Sequence, residues 1–279
     1  MQVTAYRGAA ADRPTGLPLP PARAPMLRHW RLHKGWRYVG VWSPTVSVCA
    51  ARVQVGPVRQ EFWGVWDRSA GRLSEHTRLL AGRVHLSPGA VRVRDGDAHL
   101  DLVLAEDDAT AFEVVTPVGR SWTWTRKQAV RALGTAVLDG RRLPVDGVAL
   151  IDDNDGFHPR RTHWWWSGGT AVLGDGRTAT WSVIVGLNDQ PPHTENTLWL
   201  DGRPQPLGPV TFAPDLSRVS FDDGTALDFT AESERASRVN LLGIRSAYRQ
   251  PFGTFAGTLP GGLVVRQGYG VMEDHQALW

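Results

Sequence analysis

The residues best equipped for chemistry lie in one stretch of fifteen, from Asp152 to Trp166, which combines acids, histidines, arginines and three consecutive tryptophans. A carboxyl group beside an indole wall is a suitable general acid, because apolar surroundings favour its protonated form. We therefore predict that Asp155 is a catalytic acid with His158 as its acid/base partner. Three residues of the same stretch are candidate ligand contacts: Arg161, Trp164 and Trp166.

Side-chain alternation decides how this stretch could form a site. A strand from Thr162 would place Trp164 and Trp166 on one face and His163 and Trp165 on the other. One face could then line a cavity while the other packs outward. Equally, the segment could be an edge strand of a tryptophan-rich core, and the acidic residues before it could simply form the turn.

Two later segments also place a carboxylate beside an indole. Glu195 and Asn196 follow a proline-containing loop, where they could orient a ligand or tie the loop to the backbone. Glu273 and His275 share one face of a C-terminal strand, so the carboxylate could set the imidazole's tautomer or raise its pKa. These segments supply the remaining candidate catalytic groups, Glu195, Glu273 and His275, and the remaining candidate ligand contacts, Asn196, Trp199 and Tyr269.

Common catalytic signatures are missing from the sequence. It contains no Gly-x-Ser-x-Gly elbow, dinucleotide fingerprint, phosphate loop or His-Glu-x-x-His motif. The segment from Asp153 to Gly156 resembles a calcium loop only weakly, since Ile151 stands where the first ligand belongs. We expect no cofactor and no metal.

Composition narrows the class of protein. Thirteen Trp against four Tyr and eight Phe is an unusual surplus, and indoles often line pockets as well as cores. The net charge of +3 comes almost wholly from scattered arginines, because Lys34 and Lys127 are the only lysines, so nucleic acid is not an expected partner. Cys49 is the only cysteine. No membrane-spanning segment or signal peptide is apparent, and we expect a cytoplasmic protein; the oligomeric state is not indicated.

The elements that would position these groups are strands. Alternating segments such as Trp36 to Trp42, Leu100 to Leu104, Thr178 to Val185 and Arg238 to Tyr248 are typical of half-buried β-strands. Six of the seven Asp-Gly pairs predict hairpin turns, because both residues tolerate a positive φ; they begin at Asp95, Asp139, Asp146, Asp175, Asp201 and Asp223. Gln128 to Leu138 suits a short helix or a strand equally. We predict an antiparallel all-β fold.

The chain divides into three parts by composition. Residues 1–25, rich in proline and alanine, should form an extended, loosely held arm. Residues 26–145 and 146–279 should form two β-barrel-like or sandwich halves packed together, the second carrying the candidate site. One continuous tryptophan-filled core could join the halves.

Taken in order, four motifs resemble the bacterial domain of unknown function 2804 family from about Trp36 onward. They are Asp155-x-x-His158…Arg161-x-x-Trp164-x-Trp166, Glu195-Asn196-x-Leu198-Trp199-x-Asp201-Gly202, Gln250-Pro251-Phe252-Gly253-Thr254-Phe255-x-Gly257 and Gly270-x-x-Glu273-Asp274-His275-x-Ala277-x-Trp279. That family is uncharacterised, so the resemblance supplies no catalytic residues. More distantly, the chain is similar to the lipocalin-like carotenoid hydratase and tocopherol cyclase group. This implies two calyx-like barrels around a pocket for a hydrophobic, often isoprenoid, molecule.

Two functions remain open at this point. The first is binding of a lipid, polyketide or isoprenoid-like molecule, with or without acid-assisted hydration, cyclisation or isomerisation. The second is a carbohydrate-binding or glycoside-cleaving protein with Trp stacking faces, in which Asp155 pairs with Glu195 or Glu273. A third, weaker hypothesis places a metal among Glu273 and four histidines, His158, His163, His193 and His275.

Overall fold

The computed structural model describes residues 3–79, 82–106, 111–241 and 243–279. Within these ranges the protein is almost entirely β-strand, with one short 3₁₀ turn at Ala10–Asp12 and no α-helix. All strand pairs are antiparallel, which confirms the predicted fold class. The strands in chain order are β1 Tyr6–Gly8, β2 Leu27–Arg28, β3 Arg31–Leu32, β4 Lys34–Trp42, β5 Val46–Val55, β6 Val58–Asp67, β7 Arg72–Leu79, β8 Val84–Ser87, β9 Ala90–Asp95, β10 Ala98–Leu104, β11 Ala111–Val118, β12 Ser121–Leu138, β13 Arg141–Gly156, β14 Arg161–Val172, β15 Thr178–Val185, β16 Thr197–Leu200, β17 Arg203–Pro206, β18 Val210–Phe212, β19 Arg218–Phe221, β20 Ala226–Leu241, β21 Ile244–Leu259 and β22 Leu263–Leu278.

Two large sheets contain nearly all of these strands. The first has the order β7-β6-β5-β4-β13-β12-β10-β9-β8, and β11 joins it on β12 with β1 at its side. The second has the order β17-β16-β15-β14-β22-β21-β20-β19-β18. Strands β2 and β3 form a separate hairpin. The segment that could have been a helix, Gln128 to Leu138, is the second half of β12.

The chain passes from the first sheet to the second at residues 157–160, between β13 and β14. Strand β13 spans the expected boundary between residues 145 and 146 and pairs with β12 and β4 inside the first sheet. Whether the two halves are separate domains stays a prediction.

Buried apolar side chains form three cores: one among residues of the first sheet, one among residues of the second, and one between the two sheets. Val39, Val65 and Leu100 belong to the core of the first sheet, and Trp181 and Phe255 to that of the second. The third core joins residues of both sheets and holds much of the tryptophan: Trp42, Trp66, Trp164, Trp166 and Trp199. Large aromatic side chains therefore form much of the contact between the sheets, where their apolar surface is removed from water.

Parts of the N-terminal segment, which was expected to form an extended arm, pack against the first sheet. Val3 and Leu19 pack among Trp122, Trp124 and Phe157. Its β1 strand pairs with β11. Burial of these two aliphatic side chains against aromatic rings offsets the conformational entropy that is lost when a proline-rich segment becomes ordered.

Five of the six Asp-Gly pairs that were predicted to form turns lie at hairpin connections. The prediction at Asp146-Gly147 is wrong, because this pair lies inside β13. A side chain at position 147 would crowd the backbone of Trp42 on β4. The glycine therefore permits a close approach of two strands and does not make a turn.

Candidate functional site

A cavity of about 130 Å³ lies between the two sheets. Strands β4 to β6 of the first sheet and β14, β20, β21 and β22 of the second supply most of its wall. The lining is mainly apolar and aromatic, and it includes Trp36, Tyr38, Phe62, Trp164 and Trp166. We call it the central cavity. Its volume is close to that of a cavity known to hold a single benzene ring.

Strand β14 presents two of its three consecutive indoles to this cavity. Trp164 is stacked on Trp36, with ring centroids 6.2 Å apart and planes 9° from parallel. Trp166 meets Tyr38 edge to face at 5.5 Å. His163 is exposed and Trp165 is partly exposed on the opposite face, as strand alternation predicts.

Glu273 is a buried carboxyl group in the aromatic wall of the cavity. It lies on β22 with 8% of its surface exposed, and Trp164 Nε1 donates a hydrogen bond of 2.8 Å to its Oε1 atom. Gln250 Nε2 donates to Oε2 at 3.1 Å. Burial raises the pKa of Glu273 to about 7, although the Trp164 bond and the nearby Tyr248 hydroxyl favour the ionised form. The group is therefore partly protonated at neutral pH.

His275 also lines the cavity, but it does not pair with Glu273 as expected. Its Nε2 lies 2.8 Å from Ser246 Oγ, and its ring packs against Trp164 at 4.2 Å. Burial and then the neighbouring His163 lower the pKa of His275 to about 3. The prediction that a carboxylate raises its pKa is wrong, because loss of water outweighs any benefit from Glu273. His275 is neutral at physiological pH.

Glu195 reaches the cavity as part of a buried charge cluster. Lys127, which has no exposed surface, places Nζ 2.8 Å from Glu195 Oε1 and 3.3 Å from Asp152 Oδ2. Lys127 also donates to Ser182 Oγ at 3.2 Å, and Asn188 donates to Glu195 Oε2 at 2.9 Å. Burial lowers the pKa of Lys127, but the two carboxylates outweigh this effect and raise it. Lys127 is therefore charged, and Glu195 serves as its counterion.

Asp155 and His158 lie outside the central cavity. Asp155 is 2.8 Å from His33 Nε2 and lines a separate, more polar pocket on the first sheet with Arg37 and Asp153. The His158 ring packs against Trp36, with ring centroids 4.9 Å apart, and neither ring nitrogen has a hydrogen-bond partner among the described residues. Burial, with nearby Lys34 and His33, lowers the pKa of His158 to about 3. The structure does not bring these two residues to Glu273.

Of the six predicted ligand contacts, two line the central cavity and four lie elsewhere. Trp164 and Trp166 line the central cavity, whereas the other four do not. Arg161 is exposed, and Asn196 fixes a loop by accepting from Ile184 N at 2.7 Å. Trp199 packs on Phe112 and Tyr269 on Arg68. A ligand-binding role for these four stays a prediction.

Sequence reasoning missed several polar groups of the cavity wall: Asp152, Arg235, Tyr248 and, behind Glu195, Lys127. Lys127 carried a usable signal. Apart from Lys34 and Lys127, every Lys or Arg position in the chain is an arginine. A lysine in such a chain indicates a position where a compact positive charge is needed. Arg235 and Tyr248 carried no such signal, because their neighbours in sequence look like ordinary alternating strand.

The alternative hypotheses gain no support from the described residues. Among them, no three His, Cys, Asp or Glu side chains converge in a way that could hold a metal ion. The expected pairing of Asp155 with Glu195 or Glu273 is not assembled either, since Asp155 faces a different pocket from those two residues. In the described ranges, no helix has the length and apolar character needed to cross a bilayer.

Three solved structures are similar to this chain to different degrees. Kievitone hydratase from Nectria haematococca matches with a TM-score of 0.53 and 10% identity, covering 86% of this chain and 88% of that one. CghA with Sch210972 matches with a TM-score of 0.45 and 11% identity, covering 88% of each chain. A Nitrosomonas europaea protein described as a candidate AttH matches with a TM-score of 0.44 and 15% identity, covering 90% of this chain and 99% of that one. At such identities the likeness to kievitone hydratase is a likeness of fold.

No curated protein sequence matches this chain. A family model does match residues 83–279, which include all the cavity residues of the second sheet and most of the sequence. The model describes a domain of unknown function, in agreement with the resemblance carried by the four sequence motifs. The chain belongs to the DUF2804 family.

Proposed function

We propose that this protein binds an apolar small molecule, of lipid, polyketide or isoprenoid type, in the central cavity and acts on it by proton transfer. The reaction would be a hydration, cyclisation or isomerisation with Glu273 as the general acid. One observation carries the proposal: the Glu273 carboxyl lies in an aromatic wall, held by Trp164, at a cavity whose lining is otherwise mainly apolar.

The position of Glu273 supports an acid role because it keeps a proton available. Burial raises its pKa to about 7, so a substantial fraction carries a proton at neutral pH. A carboxyl group with a pKa near the working pH is an efficient proton donor. Burial raises the pKa of Glu195 as well, but Lys127 lies 2.8 Å away and favours the ionised form, so Glu195 is less suited to this role.

The indoles support the same chemistry. Protonation of a carbon–carbon double bond creates a carbocation, and an aromatic face attracts positive charge. Trp36 and Trp164 are stacked at the cavity wall, and Trp164 also bonds to the acid. In a hydration, Glu273 would donate its proton to the double bond, water would add to the cation, and a proton would return to the carboxylate.

The fold is compatible with this proposal, since kievitone hydratase has a similar architecture. That similarity concerns the fold alone, so the proposal depends on the cavity of this chain. A volume of about 130 Å³ accommodates one ring or a short branched chain.

Native mass spectrometry of the protein from its own host, followed by extraction, tests the binding step. We expect a stoichiometric apolar molecule. With that molecule as substrate, Glu273→Gln should retain binding and lower turnover at least about 100-fold. Glu234→Gln, the same substitution at a surface residue paired with Arg249, is the control. Full turnover by Glu273→Gln would rule out the acid role.

A further inference from the structure

Arg235 is a cation built into the wall of the central cavity. It lies on β20 with 1% of its surface exposed, and its guanidinium packs between the rings of Phe62 and Tyr248, at 4.0 and 5.3 Å. Nε donates to Glu75 Oε2 at 2.8 Å, and Nη2 donates to Thr77 Oγ1 at 2.9 Å. Both acceptors belong to β7, so the side chain bridges the two sheets.

The first sheet leaves room for this side chain. A Cβ atom at Gly64 on β6 would lie 3.1 Å from Arg235 Cδ and 3.2 Å from Cys49 Sγ. Any larger residue at position 64 would press on the arginine stem. Packing, stacking and two hydrogen bonds therefore fix the guanidinium in one orientation.

Two donors at this position are available to a ligand. Arg235 Nη1 is buried and has no hydrogen-bond partner within the described part of the chain. The Tyr248 hydroxyl is also buried and makes no hydrogen bond of standard geometry there, although it lies near the Glu273 carboxyl and favours its ionised form. Both residues line the central cavity. Because Nε and Nη2 are anchored, the guanidinium cannot turn to satisfy Nη1. A buried donor without an acceptor is costly, and the cost is removed when a ligand supplies the acceptor.

We propose that the ligand of the central cavity carries a carbonyl oxygen that accepts hydrogen bonds from Arg235 Nη1 and the Tyr248 hydroxyl. This inference rests on the proposed function, in which the cavity binds an apolar small molecule. It narrows the ligand class to apolar ketones, enones, lactones and similar carbonyl compounds.

The chemistry of the two donors favours a carbonyl over other oxygen groups. A carbonyl oxygen has two lone pairs and no proton, so it accepts from both donors and leaves nothing unsatisfied. A ligand hydroxyl would bring a proton of its own.

Charge disfavours a carboxylate at the same position. Glu75 already neutralises Arg235 through the 2.8 Å ion pair. Asp152, Glu195 and Glu273 line the same cavity, so a further anion would face three acidic residues.

Calorimetric titration with three one-ring probes tests the proposal on the full-length protein. Acetophenone and isopropylbenzene have the same arrangement of non-hydrogen atoms, but acetophenone has a carbonyl oxygen where isopropylbenzene has a methyl group. Benzoate has a negatively charged carboxylate instead. We expect acetophenone to bind more tightly than isopropylbenzene or benzoate. Tyr248→Phe should weaken acetophenone binding about fivefold and Arg235→Lys about tenfold, with isopropylbenzene changed less than about twofold.

Tyr6→Phe, at a tyrosine on β1 that bonds to the backbone of Ala9, is the matched control. If acetophenone and isopropylbenzene bind equally, and Tyr248→Phe does not distinguish them, the carbonyl assignment is overturned while the apolar cavity stands. Preferred binding of benzoate would overturn it in favour of an anion site. If no probe binds, the carbonyl assignment and the proposed function both fail.

Discussion

At the scale of single residues, the cavity separates two kinds of buried acid. Glu273 receives neutral donors from Trp164 and Gln250, so nothing nearby fully compensates its charge. Glu195 has Lys127 at 2.8 Å. Under the proposed function the two carboxyl groups have different roles: Glu273 is the proton donor and Glu195 the counterion of Lys127.

Glu273 should make stability depend on pH. The pKa of Glu273 in the folded protein, about 7, lies above its ordinary value of 4.5. Its contribution to the free energy of unfolding is therefore fully present below about pH 4.5 and is lost as the pH rises through about 7. Glu273→Gln avoids that loss. The variant should therefore gain stability relative to the parent between these pH values, by an amount on the order of 3 kcal/mol at most.

Urea denaturation at a series of pH values measures this difference. Glu234→Gln, which removes an exposed carboxylate beside Arg249, is the control. A constant difference between Glu273→Gln and the parent from pH 4.5 to 8 would show that Glu273 titrates in the same way in the folded and unfolded chains.

Lys127 should be essential for folding stability. Lys127→Met leaves the buried Glu195 and the partly buried Asp152 without their cation, and breaking a buried ion pair in this way costs about 3–5 kcal/mol. Arg131→Met, on the same strand but paired with Asp146 at the surface, should cost less than about 1 kcal/mol. Denaturation midpoints compare the two, and equal losses would contradict the assigned role of Lys127.

At the scale of strands, glycines allow the long strands around the cavity to pack closely. A Cβ atom at Gly270 on β22 would overlap the carbonyl oxygen of Gly168 and lie 2.6 Å from Gly169 Cα on β14. These are backbone atoms of a paired strand, so they cannot move without disturbing the ladder that places Trp166 opposite Glu273.

Gly270→Ala should therefore destabilise the protein by about 2–3 kcal/mol. Gly174→Ala is the control, because a Cβ atom there meets nothing within 4 Å. Thermal denaturation of both variants checks the prediction. A Gly270→Ala variant as stable as the parent would mean that β14 and β22 can separate without cost.

Sequence patterns predicted the strands and most turns, because both depend on neighbouring residues. Alternation placed Trp164 and Trp166 on one face, and five Asp-Gly pairs predicted hairpins. The sixth pair failed, since only the pairing of β13 with β4 shows that Gly147 must lie against Trp42. Arg235 and Glu75 are 160 positions apart, so no local pattern could have indicated their contact.

At the scale of the whole molecule, the two sheets share both a core and a set of polar contacts. Glu232 on β20 accepts from Trp66 Nε1 at 2.8 Å and from Arg68 Nε at 2.7 Å. Lys127 and Glu195 make a second link, and Arg235 and Glu75 a third. The cavity exists only where the sheets meet, so its chemistry depends on their docking.

We therefore expect the two sheets to unfold together. A shared aromatic core loses its apolar contacts on both sides when either sheet opens, which makes partial unfolding unfavourable. Hydrogen exchange under mild denaturant should show β9 in the first sheet and β20 in the second opening with the same free energy and the same denaturant dependence. Far-ultraviolet circular dichroism and tryptophan fluorescence should follow one coincident transition. Two separated transitions, with β9 protected after β20 has exchanged, would instead identify the halves as independent domains, and the central cavity would then be lost before the first sheet unfolds.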